Sequence, residues 1–164
     1  MALQGKLPKK KVGTNIVSEG GHSLGMREKT PIIEIAYRSD IVVHVQDRIS
    51  VVYRLMKRNK LQHIPVMDRD QIVGIISRKS IKRLGFGYTY DEREDVEVGM
   101  FDMLQADQVM DKNPPQVSPE DPVLEVAELM ATQDFAALPI VHEGKPVGVI
   151  DINEIMLILL RRDT

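Results

Sequence analysis

The sequence predicts an α+β fold made of two copies of one strand-helix-strand-strand-helix unit, and three observations carry that expectation. First, "HIPVMDRDQIVGIISRKS" (63–80) nearly recurs as "ALPIVHEGKPVGVIDINE" (137–154), 74 positions later and without a gap. Pro65 falls on Pro139, Gly74 on Gly148, Ile76 on Ile150 and Ile81 on Ile155. Second, the apolar runs inside each copy are short, as strands are, and polar residues separate them. Third, a segment with apolar residues at helical spacing precedes those runs in both copies. Two copies are too few for an open stack of repeats, which needs about three. They can instead bury their apolar sheet faces on one another, as a pair related by a pseudo-two-fold axis, leaving a cleft of the kind that lodges small ligands.

Taken in order, residues 1–29 carry lysines and glycines with no apolar period and read as a basic arm. Within it "GGHSLGMREKT" lacks the Lys-Ser/Thr pair of a phosphate-cradling loop, having Met26 and Arg27 there. The first repeat is placed at 30–84. "DIVVHV" reads as a strand, "ISVVYRLMKRNK" as a helix on Val52, Leu55 and Met56, "HIPVMD" and "IVGIIS" as a hairpin turning through Arg69, Asp70 and Gln71, and "RKSIKRL" as a short helix. The stretch 85–101, glycine-bearing and then acidic, is the linker. The second repeat, 102–164, reads "PPQV" as a strand, "DPVLEVAELMATQ" as a helix, "ALPIV" and "PVGVID" as a hairpin, and "NEIMLILLRR" as a final helix. In the longer helix Asp121 is the expected cap, Pro122 the first helical residue, and Val123, Val126, Ala127 and Met130 the buried stripe.

Bulk properties narrow the function. At 164 residues the chain suits one ordinary domain or two small units that share a core. It has no cysteine, which excludes disulfides, thiolate zinc sites and thiol catalysis and points to a reducing, cytoplasmic setting. The longest apolar run, Ile155 to Leu160, is far short of the roughly 20 residues of a membrane span. The net charge of -2 hides a division: residues 1–29 carry +4, 30–90 carry +6 and 91–164 carry -12. His22, His44, His63 and His142 have no metal-ligand spacing, no nucleophile-base constellation can be composed, and Met56, Met110 and Met130 read as core filler.

At "HIPVM...IVGIISRKS" and "ALPIV...PVGVIDINE" the chain resembles the cystathionine-β-synthase (CBS) domain pair, the Bateman module, over about Pro31 to Arg162. The pattern is apolar-Pro-apolar, a turn, apolar-Gly-apolar-apolar, then a hydroxyl residue and, three positions on, an aspartate. The resemblance implies a β-α-β-β-α unit, a ligand such as AMP, ADP, ATP or S-adenosylmethionine between paired units, no catalysis, no required cofactor, and association as a disc-shaped homodimer.

The residues refine that implication. Where a strand turns directly into a helix, its last side chain and the first helical turn point together, and a hydroxyl followed by a carboxylate can read both ribose hydroxyls. Here Ser77 keeps the hydroxyl but Ser80 replaces the aspartate, whereas Asp151 and Glu154 supply two carboxylates in the second copy. A ribose is therefore expected at the second copy, with the strand starts Ile64-Pro65 and Leu138-Pro139 offering backbone groups to an adenine edge. Asp151 and Glu154 equally fit a capping box, and Ser77 an N-cap. A carboxylate about 5 Å from a phosphate opposes it by about 1 to 3 kcal/mol, more than the about 0.3 to 1 kcal/mol a helix N-terminus returns. Phosphate is therefore expected away from the acidic corner, at His63, Arg78 and Lys79. The alternatives are a solvated helix face for Arg78 and Lys79 and hairpin packing for His63. "IMLILL" covers every side of its helix, so one side needs cover, from a second copy or from the chain itself.

Three functions follow as expectations: a sensor module that binds an adenine nucleotide and acts on a protein partner in trans, a ligand-free dimerisation or interaction scaffold, and, weakly, a nucleic-acid-binding arm, for which the lysines lack interleaved aromatics.

Overall fold

A computed structural model describes residues 28–84 and 101–160. The basic arm apart from Glu28 and Lys29, and the linker apart from Phe101, lie outside the described residues. The elements are a 3-10 turn at Ile32–Glu34, β1 (Tyr37–Arg38), β2 (Val43–His44), α1 (Ile49–Asn59), β3 (His63–Asp68), β4 (Gln71–Ser77), α2 (Arg78–Leu84), α3 (Ala106–Val109), β5 (Asp111–Lys112), α4 (Val123–Gln133), β6 (Ala137–His142), β7 (Lys145–Asp151) and α5 (Ile152–Leu159). They build two sheets, ordered β2-β3-β4-β5 and β1-β7-β6.

Each repeat completes the other's sheet. β1, from the start of the first repeat, lies antiparallel to β7 of the second, with Arg38 opposite Gly148. β5, from the start of the second, lies antiparallel to β4 of the first, with Lys112 opposite Gly74. A shift of 74 superposes one register on the other, so the repeat extends upstream through both exchanged strands. The invariant glycine of the two motifs marks this crossing. A Cβ on Gly148 would stand 2.5 Å from the Tyr37 carbonyl oxygen, and one on Gly74 would collide with the Met110 side chain. Only a residue without a side chain admits the visiting segment so closely.

The apolar stripes do what their spacing predicts. α1 buries Ile49, Val52 and Met56, and α4 buries Val123, Val126 and Met130, the same positions after the shift. The first core takes in Phe101 and Ala106, and the second takes in Ile32 and Ala36, so each is closed by residues at or next to the start of the other repeat. Phe101 lies against Tyr53 with ring centroids 5.6 Å apart. Ile75, Ala137 and Val149 form a third cluster between the hairpins. The expected mating of two copies along their sheets is thus the observed one.

Several local expectations are corrected. "PPQV" forms no strand; Val117 alone makes a parallel bridge to Ile140, because two prolines remove the donors a longer ladder needs. The strand in "DIVVHV" shrinks to Val43–His44. Pro122, extended at φ -67 and ψ 143, is the N-cap rather than the first helical residue, and Asp121 accepts from the Ser118 N-H at 2.8 Å instead of capping the helix. The hairpin turn is two residues, with Arg69 in the left-handed region at φ 53, and Gln71 already belongs to β4. Arg161 and Arg162 of the final helix lie outside the described residues.

Candidate functional site

The strand-to-helix corner of the second repeat is built by a local reciprocal network. Asp151 ends β7 in extended backbone and caps α5: its Oδ1 accepts from the Asn153 N-H at 2.8 Å and the Glu154 N-H at 3.2 Å. Glu154 returns Oε2 to the Asp151 N-H at 2.9 Å, so the capping box is formed. Asp151 Oδ2 points across the repeat boundary to Nδ1 of His63, 3.6 Å away, with the two side chains 16% and 15% exposed. The pairing of the sheets therefore brings three of the expected site residues together.

Their electrostatics follow from enclosure. Burial pushes the Glu154 carboxyl up to about 7; the Asp151 charge adds to the rise, and backbone hydrogen bonds from Asp151 and Tyr37 oppose it. Burial also lowers His63, against the attraction of Asp151 and Asp111. Near neutrality the corner holds a neutral imidazole and a carboxyl near its midpoint, so it can take up or release a proton when a ligand enters.

The first repeat repeats the geometry with neutral groups. Ser77, last in β4, accepts from the Ser80 N-H at 2.9 Å, and the two hydroxyls lie 2.7 Å apart. Beside it a cavity of about 270 Å³ is lined by Gln62, Arg78, Lys79 and Lys82. The Arg78 Nε is buried there without a hydrogen-bond partner. A second cavity, about 400 Å³, lies between the hairpin tips and is lined by Asp70, Gln71, Ile72, Gln116, Val141 and Gly144. Neither is lined by Asp151 or Glu154.

Ile64 and Leu138 are fully buried in the two cores, and Pro65 and Pro139 are buried opposite Ile75 and Val149. Backbone groups are what these four can present to a ligand. Sequence reasoning missed Tyr37 and Asp111, which the exchanged strands carry to the site, and Gln62 and Lys82, which line the basic cavity. The signal for the first pair was the 74-residue offset followed upstream, since Tyr37 and Asp111 are equivalent positions. Among the described residues no group of three or more His, Cys, Asp or Glu could hold a metal ion, and no helix is long and apolar enough to cross a membrane.

A mirrored pair of β-hairpins, each running into a helix and each closed by the other's leading strand, is matched by the model of the CBS domain, over residues 32–87 and 106–161. The chain belongs to the CBS-domain family. Among curated proteins it is 28% identical to the uncharacterized protein MJ1225 of Methanocaldococcus jannaschii over 131 residues, 79% of this chain and 47% of that protein. The chain thus spans about half the length of this relative. Its fold is similar to the CBS domain of a CBS domain-containing membrane protein from Sphaerobacter thermophilus, with TM-score 0.70 and 23% identity over 84% of this chain and 92% of that one. It is also similar to the CBS pair of MJ0100, solved with 5'-methylthioadenosine and S-adenosyl-L-methionine, at TM-score 0.61 and 19% identity over 78% of this chain and 94% of that one. CBSX2, solved with AMP, aligns at TM-score 0.55 and 17% identity over 77% and 93% of the chains. At these identities the three structures establish the fold alone. CBS-domain pairs are typically regulatory modules without catalysis.

Proposed function

We propose that this CBS pair is a regulatory module that binds an adenosine-containing anion across the repeat boundary and acts, as a homodimer, on a protein partner in trans. One observation carries the reading: a cationic cavity with a buried, unpartnered Arg78 Nε adjoins, through Ser77 and its ladder partner His63, the acidic corner of the other repeat. Ribose hydroxyls donate to Asp151 or Glu154, and the phosphate lies toward Arg78 and Lys79, because a phosphate beside two carboxylates would be repelled. The adenosyl compounds bound by MJ0100 and CBSX2 support the ligand class. Thermal unfolding with AMP, ADP, ATP, NADH and S-adenosylmethionine tests it. A ligand at a hundred times its dissociation constant adds about 2.7 kcal/mol, or about 5 to 11 °C for a chain of this size. Glu154→Ala is expected to weaken binding far more than Ser80→Ala; equal effects would reject the composite site.

A second reading, an interaction scaffold without ligand, is favoured by the same corner: both carboxylates are engaged in the capping box, and neither lines a cavity. Absence of any thermal shift across the five ligands selects it.

A further inference from the structure

Tyr37 is the only exposed aromatic among the described residues. Tyr53 and Phe101 pack on each other in the first core, and Phe135 is half-buried between the second core and the cluster that joins the hairpins. The ladder sets where the Tyr37 side chain stands. Tyr37 lies on the edge strand β1 opposite Val149, and Val149 lies opposite Pro139 on its other side. Residues facing each other across an antiparallel ladder put their side chains on one face. Val149 packs with Ile75 of the other hairpin, so this is the face on which the two repeats meet. The Tyr37 ring therefore stands at the rim of the repeat boundary, 37% exposed, and its hydroxyl donates across that boundary to the Asn59 carbonyl of α1 at 3.4 Å. Its backbone N-H donates to the Glu154 carboxylate, which also holds the Asp151 N-H. One residue thus joins its backbone to the acidic corner and its ring to the boundary.

We infer that the Tyr37 ring is the platform on which the base of the bound nucleoside stacks, and that it confines the ligand to the second-repeat side of the boundary. The inference deepens the proposed function and rests on its adenosine-containing ligand. Three considerations select this role. A base is attached directly to its ribose, so a sugar held at Asp151 or Glu154 brings its base to the strand whose backbone touches that corner. A stacking ring must keep a face free of packing, and the other described aromatics are engaged in the cores or between the hairpins. A tyrosine turns about only two side-chain bonds, and the contact with Asn59 holds this one at its far end, so little freedom is lost when a base settles on it. The position equivalent to Tyr37 in the other sheet is Asp111, opposite Ile75 on the same meeting face. There the corner is Ser77 and Ser80, so that side lacks both the carboxylates and the ring. The duplicated fold therefore offers one nucleoside site per chain rather than two.

Calorimetric titration of the full chain with AMP and with ribose 5-phosphate tests the assignment, because the second compound is the first without its base. The unmodified chain is expected to bind AMP more tightly than ribose 5-phosphate, and to take a single AMP. Tyr37→Ala is expected to weaken AMP about tenfold to a hundredfold and to leave ribose 5-phosphate within about twofold. Tyr37→Phe, which keeps the ring and loses only the hydroxyl, is expected to hold AMP within about threefold of the unmodified chain. Undiminished AMP binding by Tyr37→Ala would overturn the platform, and so would a Tyr37→Phe variant as weak as Tyr37→Ala. An equal loss of both compounds in Tyr37→Ala would assign Tyr37 to the fold instead, and two equal AMP sites per chain would overturn the confinement to one side. Absence of AMP binding overturns the inference outright, whereas the proposed function falls only if none of its five ligands shifts the thermal melt.

Discussion

Glu154 shows how a single side chain can be both a cap and a titrating group. In the window from 4.5 to about 7 the folded chain holds a proton on Glu154 that the unfolded chain releases, so this group's contribution to stability falls as pH rises. His63 acts in the opposite sense: burial lowers it, the folded chain favours the neutral ring, and its contribution rises as pH climbs toward 6.5. Glu154→Gln keeps an oxygen for the Asp151 N-H and removes the buried charge. It is expected to raise stability at pH 8 by about 1 to 2 kcal/mol after solvent screening, and to add nothing at pH 5, as thermal melts at the two pH values would reveal. Equal melting temperatures at pH 8 would mean that the carboxylate is fully solvated there. The capping box was legible in the sequence because it lies within four consecutive residues, Asp151 to Glu154. The contact of Asp151 with His63 was not, because it exists only once two distant hairpins are mated.

At the level of elements, the two glycines make different demands. Gly148→Ala forces a methyl group onto the Tyr37 carbonyl, and backbone held in a ladder cannot step aside. Gly74→Ala meets the Met110 side chain, whose Sδ and Cγ a rotamer change can move, leaving only its Cβ at 2.9 Å to be accommodated by a small backbone shift. Gly148→Ala is expected to destabilise by about 1 to 3 kcal/mol and Gly74→Ala by less, in urea titrations of both. The reverse order would show that β1 yields more easily than methionine. α1 and α4 were readable from their periodic stripes. The short exchanged strands were not: two residues have no measurable alternation, and the partner that makes Tyr37–Arg38 a strand lies in the other repeat. "PPQV" looked like a strand because the first repeat has one at the equivalent place, yet its prolines decide the outcome.

For the molecule as a whole, the duplication and the mating of the copies were written in the sequence as an ungapped offset, while the basic cavity depended on side chains whose positions follow from tertiary packing. Since Phe101 and Ala106 close the first core and Ile32 and Ala36 the second, neither repeat holds its own core intact. A fragment spanning 28–100 is expected to lack a cooperative unfolding transition by circular dichroism, and to regain one when mixed with a fragment spanning 101–164. Independent cooperative folding of the first fragment would mean that the exchanged segments are accessories.

The crossing of β1 and β5 also restricts how such a module can respond to a signal. Each half grips the other's leading edge like a buckle, so swinging the halves open would strip two ladders and uncover both cores. The affordable motion is a slide or twist of a few ångströms with the buckle closed, and it is the outer surfaces, not a widening mouth, that must carry the message outward.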